Sequence, residues 1–186
     1  NFEGGLETNE NLQISNNNDK YQHILPYYNM DTVLTKKFYN GSINFSSSGS
    51  NTLKDTNNLE TSIINDLNYY SQDSISNLGV KKNFDINIKN LNSIGKKNPN
   101  YKSSPQVEII SLLNAEASLP LFKSSVNYDS FLTPKVSFKF NPSDMKNYTS
   151  SNNRVDVGNI FATNRLGLSD TYEAGRSLTL GIDYKK

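Results

Sequence analysis

Between Phe131 and Asp144 the sequence FLTPKVSFKFNPSD puts Leu132, Val136, Phe138 and Phe140 on one parity and Thr133, Lys135, Ser137 and Lys139 on the other. A period of two is that of a β-strand with one apolar and one polar face. Asn141-Pro142-Ser143-Asp144 closes it, because Pro lacks a ladder donor and Asn, Ser and Asp favour turns. The alternation recurs along the chain. Leu59, Thr61, Ile63, Leu67 and Tyr69 oppose Glu60, Ser62, Asp66 and Asn68 in a strand expected over 59–70. After a turn at 71–74, Leu78, Val80, Phe84, Ile86 and Ile88 oppose Lys81, Asn83, Asp85, Asn87 and Lys89 in a strand expected over 75–90.

Five further segments read the same way. Residues 21–34 form an aromatic-rich strand interrupted by Pro26, and Phe38-Tyr39-Asn40-Gly41 is expected to turn it at the Asn-Gly pair, which tolerates positive φ. Residues 42–46 return, followed by a long polar connection over 48–58. Residues 106–122 carry Val107, Ile109, Leu113, Ala115 and Ala117 on one parity, but Ile110 and Leu112 intrude among Glu108, Asn114 and Glu116 on the other, which implies a bulge or a packed inner surface. Residues 154–165 and 176–185 complete the set, and Leu178, Leu180, Ile182 and Tyr184 face Ser177, Thr179, Gly181 and Asp183. Residues 1–20 lack periodicity and are expected to form an irregular lead-in.

About eight alternating strands and no helical period predict an all-β fold, an antiparallel up-and-down meander. A soluble sandwich has the same alternation. Three features favour a partial outer-membrane β-barrel, about eight strands of a larger one, over residues 21–186. The strands exceed the usual ~5–6 residues, short turns alternate with long polar loops, and aromatic pairs such as Tyr27-Tyr28 and Tyr69-Tyr70 sit toward strand ends as interface girdles do.

Composition narrows the alternatives. The chain is 34% hydrophobic with no Trp and a mean hydropathy of −0.64, poor material for a thick aqueous core. Nineteen basic and eighteen acidic residues are interspersed to a net charge of +1, which leaves no electrostatic footprint for nucleic acid. The absence of Cys excludes disulfides, thiolate metal sites and thiol nucleophiles. No apolar run reaches the ~18 residues of a spanning helix, but membrane strands need only ~9–11 alternating residues. The chain opens without Met and stops within a strand pattern at Tyr184-Lys185-Lys186, so it is expected to be a fragment lacking sequence at both ends.

The motifs that remain carry a resemblance. Ile64-Asn65-Asp66-Leu67-Asn68, Lys89-Asn90-Leu91-Asn92, Ser118-Leu119-Pro120-Leu121, Leu132-Thr133-Pro134-Lys135 and the run Phe140-Asn141-Pro142-Ser143-Asp144-Met145-Lys146-Asn147 occur in that order. Asn159-Ile160-Phe161, Asn164-Arg165-Leu166-Gly167-Leu168 and Gly175-Arg176-Ser177-Leu178-Thr179-Leu180-Gly181 follow. Over roughly residues 20–186 the chain resembles the C-terminal barrel of the LPS-assembly protein family, also called organic-solvent-tolerance protein or LptD. The resemblance implies a barrel in the outer membrane of a Gram-negative bacterium that takes lipopolysaccharide from periplasmic LPS bridge proteins, holds an LptE-like plug lipoprotein, and releases the lipid laterally. The family's periplasmic jelly-roll domain and its inter-domain cysteines are absent from this sequence.

Candidate chemistry is sparse. The only His, His23, has no nucleophile or carboxylate partner on its strand. Ser93–Lys96 and Ser143–Lys146 match S-x-x-K without its K-T-G companion, and Glu3, Glu7 and Glu10 lack the spacing of a Ca²⁺ loop. Asn40-Gly41-Ser42, Asn44-Phe45-Ser46 and Asn147-Tyr148-Thr149 match the sequon by composition. No cofactor, metal site or catalytic residue is expected, and the protein is read as a non-enzymatic transporter. The polar parity carries the functional content: Asp66, Asp85, Lys89, Glu108, Glu116, Lys135, Lys139 and Asp183 are the expected lumen-facing residues, and Ile110 and Leu112 the expected contacts of the plug. Alternatives are a porin-like channel, a rim-site enzyme or a soluble β-sandwich binding module. Glu108 and Glu116, eight residues apart on one strand, lie about 26 Å apart at ~3.3 Å per residue, too far for paired acid/base work at about 5–9.5 Å.

Overall fold

The computed structural model describes residues 1–12, 20–54, 57–99, 101–144 and 154–186. The fold is the expected all-β antiparallel meander, a ten-stranded sheet that does not close on itself. Its strands are β1 (Phe2–Glu10), β2 (Tyr21–Phe38), β3 (Gly41–Lys54), β4 (Leu59–Ser71), β5 (Ser74–Ile75), β6 (Lys81–Lys96), β7 (Gln106–Ser118), β8 (Leu121–Ser124), β9 (Asp129–Asn141) and β10 (Gly175–Lys185). Eight of them follow the order β1-β2-β3-β4-β6-β7-β9-β10, while the short β5 and β8 pair onto β6 and β9.

The number of long strands matches the alternation, but two assignments change. Phe2–Glu10 is not an irregular lead-in: it pairs antiparallel with β2 from Phe2 opposite Met30 to Glu10 opposite Tyr21. Backbone pairing needs no apolar side chains, so a polar strand beside a long partner escapes a reading based on hydrophobic period. Residues 154–165 form turns rather than a strand. Asp156 Oδ1 accepts from the backbone N–H of Gly158 (2.8 Å) and Asn159 (3.1 Å), and Asn159 Nδ2 donates to the Arg154 carbonyl at 2.7 Å. Such local side-chain bonds offer the backbone an alternative to a ladder.

Boundaries shift for similar reasons. The strand expected from Ile75 begins at Lys81, because Gly79 at φ +79° and a bond from Gly79 N–H to the Ser76 carbonyl fold residues 76–80 into a turn. The polar stretch after Ser48 is mostly strand, since β3 runs to Lys54. At the β2–β3 hairpin, Tyr39 (φ 43°) and Asn40 (φ 55°) take the positive-φ positions of a two-residue turn. Gly41 serves another purpose: a Cβ there would meet the Tyr69 ring and the Tyr70 carbonyl. The sequon at Asn147 and most of the polar loop over 141–153 lie outside the described residues.

The chain divides into two compact units, 1–34 with 44–67 and 89–109, and 35–43 with 68–88 and 110–186. In the first, one sheet face buries Leu91 and the Asp66–Lys89 pair, with Lys89 Nζ 2.7 Å from Asp66 Oδ1. The opposite face exposes Ile63, Leu67 and Ile109. Asn98 Nδ2 donates to Glu60 Oε2 at 2.8 Å beside the β6–β7 connection.

In the second unit, register keeps like with like. Lys139 lies opposite Asn114 on one side and Ser177 on the other, and Phe138 lies opposite Ala115 and Leu178. Polar rows and apolar rows therefore run straight across β7, β9 and β10. Ser137, Lys139, Asn114 and Thr179 are buried, whereas Phe138, Leu178, Leu180 and Ile182 are exposed. Aromatic rings gather near strand ends, with Phe38 and Tyr39 at 4.8 Å, Tyr69 and Phe84 at 5.4 Å, and Phe122 and Phe131 at 5.0 Å between centroids.

Candidate functional site: a polar sheet face covered by an infolded segment

The segment 154–174, joining β9 to β10, lies on the polar face of its own unit. Its turns present backbone and side chains to the sheet where a strand would have presented only one row. Tyr172 packs against Ile110 and Leu112, which are each 3% exposed. Asn141, buried at the end of β9, donates through Nδ2 to the carbonyls of Tyr172 and Glu173, both at 3.2 Å. Lys139 Nζ donates to the Ala162 carbonyl. Thr163 Oγ1 donates to Asp85 Oδ2 at 3.4 Å.

The Phe161 ring covers β10 where side-chain volume is missing. A Cβ on Gly181 would lie 2.7 Å from that ring, so Gly181 is the residue that lets it approach. Lys135 Nζ sits 4.2 Å from the Phe161 centroid and 2.7 Å from Asp183 Oδ2, which pairs its charge on two sides. The segment braces itself as well. Arg165 meets Glu173 through two donors, Nε at 2.9 Å and Nη2 at 2.5 Å, a bidentate geometry that holds both ends of the turn together.

Beneath the segment, buried Asn114 acts as a hub. It accepts from Ser137 Oγ at 3.0 Å and donates to Glu116 Oε1 at 3.2 Å and to Asp85 Oδ2 at 3.3 Å. A cavity of about 240 Å³ opens beside the segment, lined by Lys81, Glu116, Thr133, Lys135, Phe161 and Asp183 among others. At the turn after β4, Asp73 accepts hydrogen bonds from Lys81 and Asn83, which hold its carboxyl below the ordinary Asp value.

The eight candidates on the polar parity thus fall into groups. Asp66 and Lys89 pair in the first unit, to which Glu108 also belongs. Asp85 and Glu116 share Asn114, Lys135 pairs with Asp183, and Lys139 reaches the infolded segment. Ile110 and Leu112 do form an apolar patch on the polar face, and this chain's own Tyr172 covers it. Asn141, Phe161, Thr163, Arg165, Tyr172 and Glu173 were missed by the parity argument, which put Asn114 on the polar row without giving it a role. For Phe161, Thr163 and Arg165 the signal was the density of Asp, Asn and Gly between 156 and 167, which marks turns. Among the described residues, no group of three or more His, Asp or Glu is placed to hold a metal ion.

Three ion pairs lie on the polar rows or their cover, Asp66–Lys89 in the first unit and Lys135–Asp183 and Arg165–Glu173 in the second. The arrangement can hydrate and orient a polar group and can be covered or uncovered by one segment. No protein-family model matches the chain, and no curated protein matches it significantly.

Proposed function

We propose that this chain is part of the wall of a Gram-negative outer-membrane β-barrel that inserts lipopolysaccharide into the outer leaflet. One observation carries the reading: the two faces of the strands are disposed opposite to those of a water-soluble protein. Along β6, Asn87, Lys89 and Ser93 are buried while Phe84, Ile86 and Ile88 are each about 40% exposed. A soluble sandwich turns its aliphatic row to the partner sheet and its lysines to water. A barrel in lipid does the reverse, and its ladder satisfies the backbone without water. The aromatic clusters at strand ends suit the girdles of such a barrel.

Lipopolysaccharide as cargo rests on the resemblance, and three of the motifs that carry it share a place in the fold. Leu132-Thr133-Pro134-Lys135 belongs to β9, Gly175–Gly181 to β10, and Asn164-Arg165-Leu166-Gly167-Leu168 to the segment lying on them. In this reading the paired charges form a wet wall along which a phosphorylated headgroup moves, while acyl chains stay in hydrocarbon. The 154–174 segment covers that wall at rest. A plug lipoprotein would meet the outer side of the segment, because Ile110 and Leu112 are already covered. Periplasmic bridge proteins would supply the lipid, and no step requires bond chemistry.

Depletion of the intact protein in its own cell tests the proposal. The expected result is recovery of the protein with the outer membrane and loss of newly made lipopolysaccharide from the cell surface, measured by whole-cell labelling. Unchanged surface lipopolysaccharide alongside ion conductance of the purified protein would make it a porin-like channel instead. Recovery in the aqueous fraction would favour the sandwich.

A further inference from the structure

In the first unit the exposed sheet face carries polar side chains where the alternation calls for aliphatic ones. Asn65 stands on β4 between the exposed Ile63 and Leu67, and Asn90 follows Ile88 on the same row of β6. They are joined in one line. Tyr28 Oη lies 3.1 Å from Ser47 Oγ, which donates to Asn65 Oδ1 at 2.7 Å. Asn65 Nδ2 donates to Asn90 Oδ1 at 3.2 Å, and Asn92 Nδ2 to the same oxygen at 2.7 Å. Asn90 Nδ2 reaches the Glu108 carbonyl at 3.4 Å. The ladder thus crosses β2, β3, β4 and β6 and ends on the β7 backbone.

Its effect is to cut the apolar row short. On β4 the row is Leu67 and Tyr69, bounded by Asn65 and Ser71, about 20 Å apart along the strand at ~3.3 Å per residue. On β6 it is Phe84, Ile86 and Ile88 between Lys82 and Asn90, about 26 Å. On β9 the row from Leu132 to Phe140 lies between Ser130 and the strand end at Asn141, about 36 Å. A strand tilt of ~40° reduces these to heights of about 15, 20 and 28 Å, against the ~25 Å apolar band of an ordinary outer-membrane barrel.

We propose that the apolar height of this wall is stepped, and that the β3–β4–β6 surface holds a locally thinned bilayer with the amide ladder at the depth of the lipid headgroups. The inference rests on the barrel reading above. A lipid surface is the occupant because the ladder's amides are already engaged with one another. A protein partner binding there would find few free hydrogen-bonding groups between Ile63 and Leu67. Bilayers adapt to a short apolar wall by thinning, at modest cost per ångström.

This chain contributes no cysteine, so single spin labels can be set at Ile63, Leu67, Ile86 and Phe138 once any cysteine elsewhere in the intact protein is replaced by serine. The intact protein is taken into nanodiscs with its native lipids, and collision with oxygen and with a water-soluble nickel complex is measured. Labels at Ile86, Leu67 and Phe138 should favour oxygen, while the Ile63 label meets nickel several-fold more often than the Phe138 label. Asn65→Leu with Asn90→Leu should lengthen the row and bring the Ile63 label into hydrocarbon. Nickel access at Ile86 and Phe138 would sink the barrel reading itself. If those two stay in hydrocarbon and Ile63 is equally deep, the stepped wall is refuted. An Ile63 label shielded from both reagents would mean a protein covers the ladder and would refute it too. Should the double variant not fold, the four single labels decide alone.

Discussion

Replacing Lys89 by Met measures how far the polar face is removed from water. Lys89 Nζ lies 2.7 Å and 2.8 Å from the two oxygens of Asp66, and the side chains retain 5% and 19% of their exposure. A solvated pair would contribute about 0–1 kcal/mol. Removing one partner of a buried pair strands the other charge and costs about 3–5 kcal/mol. Asp66 keeps some access, so we expect the lower part of that range, about 3 kcal/mol. With a urea slope of about 2 kcal/mol/M, Lys89→Met should lower the unfolding midpoint by roughly 1.5 M, followed by circular dichroism because the chain has no Trp. Asp66→Leu combined with Lys89→Met leaves no stranded charge and should recover most of the loss, since apolar replacement of a buried pair is often near neutral. A shift below about 0.5 M for the single variant, on the same slope, would refute the burial argument. A double variant as unstable as Lys89→Met would refute the attribution to charge.

Tyr172→Ala should uncover Ile110 and Leu112, cost about 3–4 kcal/mol as for other large aromatic truncations, and make residues 154–174 the first site of limited proteolysis; unchanged cleavage would mean the segment is held by other contacts. Gly181→Val should displace the Phe161 ring from β10 and free Lys135, read as faster chemical modification of that lysine. Ile86→Lys should destabilise the protein in bilayers by about 2–4 kcal/mol if the exposed row meets hydrocarbon, and a neutral result would count against the membrane reading. At the β4 turn, the hydrogen bonds from Lys81 and Asn83 lower the Asp73 value. Their contribution is therefore complete above the unfolded-state value and fades as pH falls through the folded one. Lys81→Met should move the Asp73 titration upward in carboxylate NMR, and an unmoved midpoint would show that the pair does not form in solution.

The parity of Phe84, Ile86 and Ile88 against Asp85, Asn87 and Lys89 was enough to establish strand, face and meander, because a period of two leaves little choice of local structure. It also set Ile110 and Leu112 apart as apolar residues on a polar row. What covers them was not legible, since Tyr172 is about sixty residues away and its approach depends on turns built by Asp156 and Asn159. The strand at Phe2–Glu10 was hidden for a related reason, as backbone ladders form without a hydrophobic signal. Which face is buried was a tertiary decision as well. Alternation names two faces without ranking them; in the second unit residues 154–174 cover the polar one through Lys139, Ile110 and Leu112, and in the first that face buries Leu91 and the Asp66–Lys89 pair. Likewise Asn65 and Asn90 drew no notice in the alternation, and only strand pairing set their amides 3.2 Å apart and made them one ladder. Local sequence determines a period; contacts between residues distant in the chain determine what each side of it meets.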